Sequence, residues 1–213
     1  ASVEGHLDLT RASAAGFTGG LFALFIPNSA AGEELSGGQP PSYEDASVIC
    51  ADMLALADEM VARFGDNIAK CLTVSDILAA QDASKIAMVL HIEGAEMISA
   101  DCHEIEMLYQ RGIRSLGPLW SRPNLFGEGV PLQFPGSPDQ GDGLSDAGKR
   151  LVRTCNHYGI MLDLSHLNEK GFWDIAKPSD KPLVATHSNV HRLCPSPRNL
   201  TDRQLDAIAE SGG

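Results

Sequence analysis

The sequence has no Cys-x-x-Cys pair, no Gly-x-Gly-x-x-Gly turn and no Gly-Lys-Ser/Thr loop, and each absence removes a class of function. Without the glycine-rich turns, nucleotide binding has no support. The five cysteines (Cys50, Cys71, Cys102, Cys155, Cys194) are odd in number and scattered, so neither a disulfide framework nor a thiolate zinc site is indicated. They fit a reducing compartment, and a cytoplasmic location is expected. Positive charge is scarce: 16 Lys and Arg stand against 28 Asp and Glu, a formal net charge of −12, with no basic cluster to meet a phosphate backbone. Nucleic acid is therefore not an expected partner. There is no transmembrane run, and no charged segment followed by an apolar one opens the chain.

What is present is enough apolar sequence, 43% of 213 residues, to bury a substantial core, and residues 1–213 read as a single domain. Short apolar runs of the length and branching of buried parallel strands alternate with helical patterns, which predicts a parallel sheet with helices outside it. Five strands are expected: Gly20 to Pro27, Ile86 to Glu93, Ile113 to Pro118, Gly159 to His166 and Pro182 to Ser188. Helices are expected from Ser42 to Phe64, capped by Ser42 and stopped by Gly65, then from Ser75 to about Ala83 and near Asp101 to Arg111. Three more are expected from Ser145 to His157, from Asn168 to Ala176 and after Thr201, with Gln204 at the capping-box position. Loops are expected from Asn28 to Pro41 and from Trp120 to Gly143, the second packed by Phe126 and Phe134.

Three of the apolar runs end in a group that can bind a metal. Gly159-Ile-Met-Leu-Asp-Leu-Ser-His166 and Pro182-Leu-Val-Ala-Thr-His-Ser188 each deliver a histidine, and Ile86-Ala-Met-Val-Leu-His-Ile-Glu93 delivers a carboxylate. In a barrel of parallel strands, functional groups collect at the strands' C-terminal ends. Glu93, His166 and His187 are therefore the metal-site candidates, in a mix of ligands that suits zinc. On the residues alone, hydrogen-bonded half-buried histidines explain the pattern equally well. Asp163, by strict alternation, points away from the His166 face, toward an outward cap or ion pair. His91 lies a layer below Glu93 as a core histidine; His103 and His157 fall in helices, and His191 is placed off the site. Arg198 sits in a rigid loop beside His187, where it can hold a substrate carboxylate or pair with Asp202. His6 and Asp8 form a tempting His-x-Asp, but the next strand begins about ten residues later. A parallel crossover needs roughly a dozen residues or more, and Arg11 to Gly19 lacks helical periodicity, so the pair reads as a lead-in loop rather than as ligands.

At these residues the chain resembles the membrane (renal) dipeptidase family, peptidase family M19, and its bacterial members in particular. The matching stretches are Arg11 to Pro27, Ile92-Glu-Gly94, Leu108 to Arg114, Gly143 to Gly148, Asp163-Leu-Ser-His166, Thr186-His-Ser188 and Arg198-Asn-Leu-Thr-Asp202. The resemblance implies a (β/α)8 TIM-barrel-like metallohydrolase that cleaves dipeptides with two zinc ions, a hydroxide between the metals attacking the peptide carbonyl. It implies that Glu93 bridges the metals, that His166 and His187 bind the second zinc, and that Arg198 binds the dipeptide's carboxylate. It assigns no catalytic acid or base to this chain.

Three departures accompany the resemblance. The family's first strand carries a His-x-Asp that precedes the segment similar to Arg11–Pro27 by a few tens of residues, whereas His6 and Asp8 abut it. Family members continue into further strands bearing a catalytic aspartate, so the chain is expected to be an internal piece of the barrel, inactive alone and with exposed strand edges. Trp120 stands where some members place a substrate-binding histidine. The expected partners are a dipeptide substrate and a second copy in a homodimer. The alternatives are another metal-dependent amide hydrolase of the same barrel class, or a non-catalytic binding protein.

Overall fold

A computed structural model describes residues 5–28 and 40–213, so most of the loop expected from Asn28 to Pro41 lies outside the described residues. The organising strand is β3 (Ile86–Glu93), whose apolar run is buried on both faces. Met88, Leu90 and Ile92 on one face join a single cluster with residues of the flanking helices, while His91 and Glu93 share the other face. Each such aliphatic side chain removed from water contributes about 1.5–3 kcal/mol.

Ahead of β3 come α1 (Leu9–Ala14), β1 (Gly19–Phe25), α2 (Tyr43–Phe64), β2 (Ile68–Lys70) and α3 (Val74–Asp82). α1 is a helix where irregular chain was expected: Asp8 caps it, accepting the Arg11 N–H at 2.8 Å. α2 matches expectation to its caps, Ser42 and Gly65. β2 was not expected, because three residues, Ile-Ala-Lys, carry no periodicity to read. α3 is closed by a capping box between Thr73 and Asp76.

Behind β3 come α4 (Glu104–Gln110), β4 (Ile113–Gly117), the two-residue strands β5 (Pro123–Asn124) and β6 (Gly127–Glu128), α5 (Asp146–Tyr158), β7 (Met161–Leu162), α6 (Glu169–Ala176) and α7 (Asp202–Ser211). β1 and β3 pair in parallel with Phe25 opposite Glu93. β4 pairs with β3 and β7 with β4, also in parallel, and β2 pairs with the beginning of β3. The result is an α/β fold with a five-stranded parallel sheet, helices packed outside it, of the TIM-barrel-like kind. Gly19 is fixed by close approach, since a Cβ there would lie 2.8 Å from the Cβ and carbonyl oxygen of Ala87.

Two expected elements differ. The strand ending at His166 stops at Leu162, and Pro182–Ser188 forms no ladder, only the single parallel bridge Asp163 to Val184. In the long loop, Phe126 is fully buried as a packing residue but Phe134 is exposed. No helix among the described residues is long and apolar enough to cross a membrane.

Candidate metal centre

Glu93 is the last residue of β3; His166 and His187 follow β7 and the Val184 bridge in turns. Their side chains nevertheless meet. His166 Nε2 lies 2.9 Å from His187 Nε2 and 3.1 Å from Glu93 Oε1, and His187 Nε2 lies 3.2 Å from the same oxygen. Three electron-pair donors form a nearly equilateral triangle. A tetrahedral zinc with bonds of about 2.0–2.2 Å has ligand-to-ligand edges of roughly 3.3–3.6 Å, so the triangle needs to open by only a few tenths of an ångström to form one face of that shell. The three residues are a group that could hold a metal ion.

The backbone at His166 is under tension. Its φ is +70°, a left-handed conformation that costs a non-glycine residue about 1–2 kcal/mol. The Asp163 carboxylate accepts the Ser165 N–H at 3.0 Å, closing a turn immediately before it, and the His166 carbonyl accepts the Val130 N–H at 2.9 Å. The ring itself is clamped: Ser121 Oγ is 2.8 Å from Nδ1, and Trp120 packs beside it with centroids 5.9 Å apart, Phe25 backing Trp120 in turn. His187 is more open, with Thr186 Oγ1 2.7 Å from its Nδ1.

Protonation suits ligation. The imidazoles of His166 and His187 against its Oε1 hold the Glu93 carboxyl well below the usual carboxylate range, opposing the effect of burial. Burial pushes the His166 imidazole down to about 4, opposed by Glu93 and assisted by the charge of Arg198. An ionised carboxylate beside a neutral imidazole is the state a divalent metal requires.

Asp163 corrects the sequence expectation. It points inward, with 1% of its surface exposed, because the strand ends at Leu162 and the alternation of faces no longer applies beyond it. Burial raises its pKa, but the Thr186 hydroxyl and the N–H groups of Thr186 and Ser165 more than offset that, and the net shift is downward. His91 is the expected core histidine, with Nδ1 2.8 Å from Ser115 Oγ. His191 is off the site, its Nε2 2.9 Å from the Gly136 carbonyl oxygen. His6 and Asp8 are off it too, Asp8 being committed to Arg11. A second cluster, Asp101, His103 and Glu104, is satisfied among itself, Ser99 and Tyr43 at the surface.

Arg198 stands next to the triangle. Its guanidinium donates to Ser188 Oγ at 3.3 Å and to the His187 carbonyl at 3.1 Å, while Asp202 pairs with Arg192 instead. Sequence reasoning overlooked Ser121 and Thr186, which carry no signal beyond a hydroxyl next to a motif residue. It also overlooked Arg122, buried and donating to Glu96, Asn28 Oδ1 and the Ile26 carbonyl.

Comparison with known proteins gives these residues a context. The family model for membrane dipeptidase, peptidase family M19, matches residues 1–213. An uncharacterized protein encoded in the PQQ-III 3' region of Acinetobacter calcoaceticus is 43% identical over 98% of this chain and 68% of its own length. A crystal structure of a metallo peptidase from Rhodobacter sphaeroides, liganded with a phosphinate mimic of the dipeptide L-Ala-D-Ala, superposes with a TM-score of 0.94 at 45% identity. That match covers 100% of this chain and 64% of the other. The dipeptidase AC, a family M19 metallo peptidase, superposes with a TM-score of 0.92 at 47% identity over 98% of this chain and 61% of its own. The chain thus spans a little under two thirds of each of these solved structures. A parallel α/β sheet with a His, His and Glu cluster at its edge, matched along its whole length by one family model, places this chain in peptidase family M19, the membrane dipeptidases.

Proposed function

We propose that this chain belongs to a metal-dependent dipeptidase, in which Glu93, His166 and His187 hold a zinc ion and Arg198 takes the free carboxylate of the dipeptide. The observation that carries the reading is the convergence of two imidazole Nε2 atoms and one carboxylate oxygen within about 3 Å of one another, each imidazole backed by a hydroxyl. Zinc bound there would supply Lewis acidity toward the substrate carbonyl and bring the pKa of a water to about 7. The chain's own contribution is positional. Arg198 is anchored by Ser188 and the His187 carbonyl, so that its guanidinium meets a carboxylate at little entropic cost. Trp120, backed by Phe25, covers one side of His166 and keeps water from it.

The described residues offer one set of three ligands at this place. A second zinc, bridged by Glu93, requires ligands from outside this set, because Asp8 caps α1 and His6 stands in the lead-in to that helix. The substrate class is supported by the dipeptide mimic seen in the Rhodobacter sphaeroides relative. The unpaired cysteines support a reducing compartment.

The test is metal content and dipeptide hydrolysis in the whole protein, beside His187→Ala. About two zinc ions per chain and an activity that the substitution abolishes are expected. Metal without dipeptide cleavage would favour another amide hydrolase, and a protein that takes up no metal would remove the site altogether.

A further inference from the structure

Asp163 is the most deeply buried carboxylate among the described residues, and each of its oxygens is committed. Oδ1 accepts two backbone N–H groups, from Ser165 at 3.0 Å and Thr186 at 2.9 Å. Oδ2 accepts the Thr186 hydroxyl at 2.6 Å. That hydroxyl has one proton. Given to the carboxylate, it leaves Thr186 Oγ1 only lone pairs to offer His187 Nδ1, 2.7 Å away, so the imidazole must be the donor there. A neutral His187 with its proton on Nδ1 has its lone pair on Nε2, the nitrogen facing Glu93 and His166. His166 has no such chain among the described residues: Ser121 Oγ, its Nδ1 partner, meets no further acceptor there.

We propose that Asp163 is a positioning residue of the metal centre, acting through the Thr186 hydroxyl to fix the His187 tautomer whose Nε2 can ligate. The inference rests on Glu93, His166 and His187 being the ligands. It makes Asp163 and Thr186 a directional relay: carboxylate, hydroxyl, imidazole, metal. A carboxylate can only accept, so the direction is set at its buried end.

Reversing that end reverses the relay. In Asp163→Asn, the amide oxygen is held on the Oδ1 side by the two backbone N–H groups, and the NH2 takes the place of Oδ2. The amide then donates to Thr186 Oγ1, whose proton turns to His187 Nδ1. The ring proton is driven to Nε2, where it blocks the metal. Thr186→Val deletes the middle of the relay at nearly constant volume, and Thr186→Ser keeps it.

The experiment is zinc affinity by competition with a chromophoric chelator, together with ring 15N shifts of His187 in the metal-free protein above the imidazole titration range. Loss of an outer partner of this kind costs about 10- to 100-fold in affinity, and that drop is expected for Thr186→Val, with Thr186→Ser restoring the parental value. Asp163→Asn should fall at least as far, and the double variant Asp163→Asn/Thr186→Val no further than Thr186→Val alone, since no hydroxyl remains to be redirected. The 15N shifts should report Nδ1–H in the parent and Nε2–H in Asp163→Asn. Equal weakening by Thr186→Ser and Thr186→Val, or an Nε2–H tautomer in the parent, overturns the relay. A parent that binds no zinc but carries Nδ1–H overturns the metal site and leaves the relay standing. If Asp163→Asn does not fold, the valine and serine pair still decides.

Discussion

The β1, β3 and β4 region and the stretch from Met161 to Leu200 deliver the same kind of product, a side chain of the candidate metal centre, by opposite means. Glu93 sits at the end of an eight-residue strand paired on both sides, where ladder hydrogen bonds and apolar packing fix the backbone. His166 and His187 follow a two-residue strand and a single bridge, and are fixed by Asp163, Ser121, Thr186 and a left-handed turn. Glu93 itself apart, substitutions in the first region should therefore act on stability, and in the second on metal affinity. The backbone hydrogen bonds of a ladder place Glu93 whichever single neighbouring side chain is changed, whereas a polar network depends on each member.

The sharpest test is His166→Ala. Structural zinc sites are worth about 10–16 kcal/mol over three or four ligands, so losing one should weaken zinc binding roughly a thousand-fold by chelator competition. Metal-free stability should change far less, and a comparable loss there would erase the contrast. Ile92→Ala is the converse: Ile92 is fully buried in the helix-facing core, and about 2–5 kcal/mol of stability should be lost in urea unfolding, with zinc affinity of the folded protein retained. Next in size is Asp8→Ala, which removes the α1 cap and should cost about 1 kcal/mol with metal content unchanged. A drop in metal content would instead return Asp8 to the ligands.

The smallest effect concerns acid. Lys70, with help from Arg111, holds the Asp58 carboxyl below the usual range on the outer face of α2. A depressed carboxylate contributes stability that is fully present above its unfolded pKa of about 3.9 and is lost as pH falls through the lower folded value. Asp58→Asn should thus flatten the stability profile below about pH 4, by no more than ~1 kcal/mol, because the pair is solvent-screened. A larger change would show that the regular region too depends on single charges.

What was legible in the sequence follows the same division. β3, α2 and α5 were readable nearly to the residue because their patterns are long and their caps explicit. The convergence of Glu93, His166 and His187 was readable because each of three apolar runs ends in one of them. Asp163 was misread, since alternation of faces holds only while a strand lasts and this one ends at Leu162. β2 was invisible because its three residues pair by proximity to β3 rather than by pattern. The helix at Leu9–Ala14 was missed because its stability comes from Asp8 and Arg11, not from an apolar stripe. Arg122 was overlooked because the groups it joins, Ile26 and Glu96, are 96 and 26 residues away along the chain.

The residues of the candidate centre are similarly far apart: His166 is 73 residues from Glu93 and 21 from His187. No short peptide cut from this sequence can reproduce the triangle, and an unfolded chain offers zinc only isolated groups. Under the proposed ligation, metal affinity is a gauge of tertiary assembly, and zinc at a hundred times its dissociation constant would draw the chain toward the folded state by about 2.7 kcal/mol. The supply of metal during synthesis then becomes, under that same ligation, a folding condition.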